Sequence, residues 1–340
     1  MAPSPPPFAS IDYWDTRFHS NPSAFDWLQP ASILDAPLTA ALLDSWISKP
    51  EILHIGCGTS LLSYHLREHV ETPGQIHNVD FSQEAIELGK RREQEIFGFA
   101  GQEEEGKKKA KSKSNNTSIP NQEIIESTIA TKACVDVDEH DKRVTSPSPF
   151  RFPSQTNSSE IAPRQFMHWS TADLLSLHSI LSVCRSASYF LIVEKSCSDS
   201  IACAEDIFVS VPYPLAFVSP PLPPFPRNPL SPVPIHPLHI LALHLALLTQ
   251  PGGRWIALSY SSSRFPFLPS SPSPDSETWE DAIPDGLLMH GFPDPAQLWT
   301  LERKEAVEAP PEGGVEAVHR PKVSHWLYVL VRTEKELHVQ

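Results

Sequence analysis

The chain has 340 residues, enough for one large domain or two, and its 36 clustered prolines against 13 glycines predict one domain carrying long insertions. A net charge of −14 argues against bare nucleic acid as a direct partner, because phosphate neutralisation needs a basic surface. The cysteines (Cys57, Cys134, Cys184, Cys197 and Cys203) form no CxxC pair and no zinc-ligand spacing with histidine, which predicts a reduced intracellular chain.

In chain order, "MAPSPPPFAS" has neither a basic start nor an apolar core and reads as no signal peptide. Ile11 to Leu28 is aromatic-rich. Leu38, Leu42, Leu43 and Trp46 recur at helix spacing through "LTAALLDSWI", and Pro50 ends that helix. "EILHI" reads as a short buried strand, Gly56 to Gly58 as a turn, and "TSLLSYHLREHV" as a helix with Thr59 or Ser60 placed to cap it. "QIHNVDFS" is a second strand ending in Asp80, and Ser82 caps the helix "QEAIELGKRREQEIF". Strand, helix, strand, helix predicts a parallel sheet with right-handed crossovers.

Residues 100–163 lack periodicity and predict a disordered insertion. Its KKKAKSK run reads as a solvated loop, with a nuclear signal or nucleic-acid contact as the alternative. Order returns at "RQFMHWSTADLLSL", a strand ending near Ala172–Asp173, followed by the apolar strand "SASYFLIVEKS". Residues 208–236 predict a proline-rich surface insertion, suited to extended loops but not to helix or sheet interior; its PxxP-like character leaves a partner domain open. "LHILALHLALLTQPGGRWIALSYS" is a buried helix, a Pro-Gly-Gly turn and a strand. Its apolar run, Leu238 to Leu248, is too short to span a bilayer, so no membrane association is expected. "SHWLYVLVRTEK" supplies a final apolar strand.

The series from Gly56 through Gly58 to Leu61 lacks the third glycine of the dinucleotide pattern G-x-G-x-x-G, and alone it fits a tight turn with no ligand. Its company narrows the reading. Asp80 closes the second strand, where a carboxylate accepts from ribose hydroxyls; Asp173 closes the third, where it can accept from an adenine amino group. With the "LLTQPGGRW" turn, these features resemble the seven-strand S-adenosylmethionine-dependent methyltransferases, and all three sites fall at strand carboxyl ends, where open α/β sheets bind ligands. An NAD oxidoreductase is a distant alternative.

More narrowly, "YWDTRF…FDWL", "ILHIGCGTSLLSYHL", "NVDFSQEAI", "MHWSTAD", "FLIVEK" and "PGGRWIALSYS" resemble, in order, motifs of the methyltransferase-like family that includes the lysine methyltransferases of translation elongation factor 1-alpha. The resemblance covers most of residues 11–99, 164–204 and 236–265. It implies a single domain over 11–335 with a seven-strand Rossmann-like class I methyltransferase sheet, helices on both faces, and S-adenosyl-L-methionine as cofactor. Gly56 and Gly58 would let the backbone approach the methionine part, Asp80 would hold the ribose, and Phe81 would lie against the adenine. Asp173 and Leu174 would meet the adenine edge, and Lys195 would match the family lysine at the pocket. Trp14, Phe18 and Trp27 would fold over the cofactor, with Arg17 near its carboxylate.

The implied partner is a protein substrate, with elongation factor 1-alpha the first example, in the cytoplasm or the nucleus. A small-molecule methyltransferase and a non-catalytic scaffold stay open, because "EKSCSDS" and "SYSSSRF" depart from the family's E-K-G-T-L-D-A and T-F-x-Q-P-H-F where substrate would approach. His54 stands where many methyltransferases carry an acid and reads as a packed strand residue. Glu194, at a strand exit, is the candidate to orient or deprotonate an acceptor amine.

Overall fold

Strands that read as unbroken apolar runs are buried on both faces, as parallel strands covered by helices must be. In the computed structural model residues 6–98, 166–217, 230–268, 283, 285–308 and 324–340 are described. The expected insertion at 100–163, with its KKKAKSK run and Cys134, lies outside the described residues, as does 218–229 of the proline-rich segment.

Helices α1 (Ile11–Ser20) and α2 (Asp35–Leu43) precede β1 (Glu51–Ile55), and α3 (Leu62–His65), β2 (Ile76–Asp80) and α4 (Gln83–Phe97) follow. Next come β3 (His168–Thr171), α5 (Leu177–Val183), β4 (Tyr189–Lys195) and α6 (Cys197–Ile201). The remainder supplies β5 (Leu215–Phe217), α7 (Pro237–Leu248), β6 (Thr249–Ser259), α8 (Asp285–Met289), β7 (Trp299–Glu308), β8 (Ser324–Arg332) and β9 (Leu337–Val339). Seven strands form one sheet in the order β3-β2-β1-β4-β6-β8-β7. The first five are parallel neighbours, and β8 and β7 run antiparallel. This is the Rossmann-like seven-strand sheet the sequence predicts. Strand order reverses between β1 and β4, and open α/β sheets bind ligands outside the carboxyl ends at such a point.

Strand periodicity divides the core. Leu53, Ile55, Ile192, Trp255 and Ala257 pack in one cluster with α7, whereas Ile52, Leu191, Val193, Ile256 and Leu258 pack in another with Leu38 and Ala41 of α2. Every residue of α7 is buried. Inside it, His244 Nδ1–H donates to the Leu174 carbonyl (2.7 Å), and the Tyr213 hydroxyl donates to His244 Nε2 (2.8 Å). A carbonyl can only accept, so this pair of bonds fixes the tautomer.

Several local expectations are corrected. α2 stops at Leu43, and Leu43 and Trp46 are exposed; Trp46 instead lies edge-on to Phe190, with ring centroids 5.2 Å apart. Thr59 does not cap α3, which starts after Leu61 and is one turn long before a 3₁₀ turn, Leu66–His69, whereas the Ser60 hydroxyl does accept from its first N–H, that of Leu62 (3.1 Å). Asp26 reinforces that cap from a distance, accepting from the Ser60 hydroxyl (2.6 Å) and the Leu61 N–H (3.2 Å). The Pro-Gly-Gly stretch lies within β6 rather than before it, with Gly252 at φ +74° beside a register shift against β4. The proline-rich segment does contribute a strand: β5 pairs antiparallel with β9. Among the described residues no helix is long and apolar enough to cross a membrane.

Candidate functional site

The exit of β1 turns through two left-handed residues, Gly56 (φ +56°) and Gly58 (φ +48°). A Cβ on Gly56 would fall 2.5 Å from Cys197 Sγ of α6, and one on Gly58 would fall 3.3 Å from the Phe18 ring of α1. The turn is therefore pressed between two helices, and glycine is the residue that allows both the backbone and the approach.

Asp80 ties this turn to the end of β2. Its carboxylate accepts from Gly58 N–H (2.8 Å) and Ser82 N–H (2.9 Å). Burial pushes the carboxyl up to about 6, opposed by those two N–H groups. Each oxygen keeps a second lone pair. Ser82 caps α4 as predicted, accepting from Ala85 N–H.

A cavity of about 410 Å³ opens at these strand ends. Gly56, Gly58, Asp80, Phe81, Asp173, Leu174, Lys195, Trp14, Phe18 and Trp27 all line it. Asp173 accepts from Leu175 N–H (2.9 Å) in an exposed turn, while Leu174 is buried. The aromatic segment forms one wall: Trp14 and Phe18 stack at 5.5 Å, and Trp27 lies edge-on to Phe25 at 4.9 Å.

Two aspartates fasten that wall. Asp15 accepts from the Ser82 hydroxyl. Asp26 pairs with Lys195 Nζ (2.9 Å), which also donates to the Gln29 carbonyl (2.9 Å). Burial would raise the Asp26 carboxyl, but Ser60, Lys195 and the Leu61 N–H together hold it below its usual value. Burial pulls the Lys195 ammonium down, and its hydrogen bond to Asp26 and that carboxylate's charge oppose the pull. Lys195 thus borders the cavity while its charge is spent on the cover.

Two predicted residues stand elsewhere. Arg17 is not among the lining residues; its guanidinium lies 4.9 Å from the Phe25 ring centre and 5.7 Å from that of Trp27. Cation–π attraction holds it against the cover. Glu194 is fully buried and also absent from the lining. It accepts from Cys197 N–H (2.8 Å), Ser198 N–H (3.2 Å) and the Ser198 hydroxyl (2.6 Å), capping α6. Strand alternation explains this, since Lys195 faces the cavity and its neighbour must face away. Burial pushes the Glu194 carboxyl up to about 7, against the Ser198 and Cys197 donors.

Sequence reading missed Ser196. It lines the cavity with a left-handed backbone (φ +63°), and its buried hydroxyl has no hydrogen-bond partner among the described residues. The available signal was its alignment with the glycine of the E-K-G motif. Asp15 and Asp26 stand inside the YWDTRF and FDWL stretches, where the sequence offers no partner for either. His54 lines the cavity as a packed residue, with Nδ1 at 3.0 Å from both Ser63 Oγ and Asn78 Oδ1. Burial lowers it to about 4, so it is neutral at pH 7.

No protein-family model matches this chain. It is 42% identical over 99 residues to Methyltransferase srdJ of Neurospora crassa, a match covering 28% of this chain. The chain spans 40% of the length of that curated relative. Among solved structures it is similar to a SAM-dependent methyltransferase of Anabaena variabilis (9% identity, TM-score 0.43, covering 97% of this chain and 96% of that one). It is also similar to magnesium protoporphyrin IX methyltransferase of Synechocystis with bound SAM (10% identity, TM-score 0.41, covering 98% and 100%). Likenesses this remote leave ligand and reaction to be argued from the site.

Proposed function

We propose that the chain is an S-adenosylmethionine-dependent methyltransferase folded as one domain over residues 11–335. The observation that carries this reading is the meeting of the Gly56–Gly58 turn, Asp80 and Asp173–Leu174 in one cavity walled by the aromatic segment. An adenosyl group asks for an acceptor for ribose hydroxyls, an apolar slot with a polar edge for the base, and close backbone approach for its amino-acid tail. Asp80 would accept from the ribose through its spare lone pairs, and Phe81 would lie on the adenine. Asp173 and Leu174 would meet the adenine edge. Gly56 and Gly58, both at the cavity wall, would let the backbone approach the tail. Trp14, Phe18 and Trp27 would exclude water, held in place by the Lys195–Asp26 pair. When bound, the cofactor supplies a methyl group on an electrophilic sulfonium; the protein's part is alignment and desolvation.

On the motif resemblance, the acceptor is taken as a lysine amine of a protein, with elongation factor 1-alpha the first substrate to assay. That amine must be neutral, against an ordinary pKa of ~10.4, and a desolvating cavity lowers it. Glu194 is occupied as a helix cap, so desolvation rather than that carboxylate would carry the step. A small-molecule acceptor is favoured by a different observation: the unpaired Ser196 hydroxyl suits a polar group held wholly inside the cavity.

Calorimetry with S-adenosylhomocysteine on wild type and Asp80→Asn tests the cofactor. Binding by the wild type, weakened in a variant whose circular dichroism is unchanged, is expected. A chain that binds NADH and ignores S-adenosylhomocysteine would be no methyltransferase. Radiolabelled methyl transfer in cell lysate then separates acceptors: label on a protein band supports the lysine reading, label in the small-molecule fraction supports the second, and neither, with cofactor bound, points to a scaffold.

A further inference from the structure

Outside the cavity, three metal-ligating side chains converge from two elements. His65 ends α3 and His69 lies in the 3₁₀ turn that continues it, so their four-residue spacing puts both rings on one side. Asp35, the first residue of α2, meets both: its Oδ1 is 2.5 Å from His65 Nε2 and 3.2 Å from His69 Nε2. The ring centroids are 5.4 Å apart, and the three ligand atoms all lie within 4.8 Å of one another. None of the three lines the cavity.

We propose that Asp35, His65 and His69 form a site for one divalent transition ion, with zinc the best match. Two imidazole nitrogens and one carboxylate oxygen make a borderline donor set that suits zinc, cobalt and nickel and disfavours magnesium and calcium, which seek oxygen alone. Three protein ligands leave a fourth tetrahedral position for water. The side chains keep 20%, 14% and 46% exposure for His65, His69 and Asp35, so an ion can enter from solvent.

The proton count is simple. Without metal, the Nε2–H groups donate to Asp35. With metal, both Nε2 lone pairs face the ion and each neutral ring carries its proton on Nδ1 instead, a change of tautomer with no net proton released. A bound ion would clasp the start of α2, just after the cover fastened by Asp26 and Gln29, to the turn following the glycine loop.

The test uses the full chain stripped with a chelator and titrated with Co²⁺. Expected are one Co²⁺ per chain with the visible absorption of a four-coordinate site, displacement by Zn²⁺, and no displacement by Mg²⁺ or Ca²⁺. A His65→Gln/His69→Gln variant should lose the absorption. Should that variant fail to fold, Asp35→Asn serves: Zn²⁺ is expected to raise the melting temperature of wild type and leave that variant unmoved. Absence of the Co²⁺ signal in wild type, or equal binding by the variants, overturns the site.

Discussion

Ser196 carries two unfavourable features at one position: a left-handed backbone and a buried hydroxyl with no partner among the described residues. The first costs a non-glycine residue about 1–2 kcal/mol, and an unpaired buried polar group costs a similar amount. Ser196→Gly is therefore expected to raise unfolding stability by about 1 kcal/mol in urea titrations, after allowing for glycine's freer unfolded chain. If the hydroxyl binds ligand, the same variant loses turnover. Equal stability of the two proteins would show that no strain is stored there. Glu194 makes a pH-dependent prediction. Its carboxyl moves from an ordinary 4.5 to about 7 on folding, because burial disfavours the charge. The folded state then holds the proton more tightly, so this contribution to stability is full below about 4.5 and lost as pH rises through 7. Asp80 acts in the same direction, whereas His54 and His77, both lowered to about 4 by burial, act oppositely. The difference between wild type and Glu194→Gln isolates the term: the gap should change by on the order of 3 kcal/mol across that window. A gap that stays flat from pH 4.5 to 7.5 would remove Glu194 as the source.

Elements were legible where one physical demand dominates. β1, β4 and α7 are largely apolar runs buried on every side, and Ser82 marks the start of α4 because its oxygen reaches an otherwise unpaired N–H. The glycine turn, Asp80 and Asp173 could be picked out because open α/β sheets bind ligands outside the carboxyl ends of their strands. Illegible features depend on distant partners. After the buried Trp299, β7 reads "TLERKEAVE" and is largely exposed and charged, as an edge strand that avoids pairing with another chain should be, so its pattern resembles a loop. The end of α2 could not be foreseen because Trp46 leaves the helix to cover Gly252 and Phe190. The segment fastened by Asp26 and Lys195 is of this second kind: 169 residues separate the two members. Breaking one half strands a lysine whose side chain is only 2% exposed. Lys195→Met and Asp26→Asn should each destabilise the protein, and the double variant should lose less than the sum, with a coupling of about 1 kcal/mol or more. Additive losses would show that the pair fastens nothing.

At the scale of the whole molecule, the cavity draws its walls from the aromatic segment, the turn after β1 and the ends of β2, β3 and β4. A ligand seated there touches stretches far apart in sequence, and its binding energy therefore opposes global unfolding rather than the fraying of one loop. Linkage sets the size: a ligand at a hundred times its dissociation constant adds about 2.7 kcal/mol to the folded state if the unfolded chain does not bind it. S-adenosylhomocysteine at that concentration should move the described core's thermal transition upward as one cooperative step, and NADH should not move it. In the Asp26→Asn variant the cover is released while Asp80 and the glycine turn persist. The shift at fixed ligand concentration should shrink there through weaker binding. If the ligand instead protects only a first, separate transition while the rest melts unchanged, the aromatic segment folds independently of the sheet, and the cavity it walls would be an adjunct to the core rather than part of it.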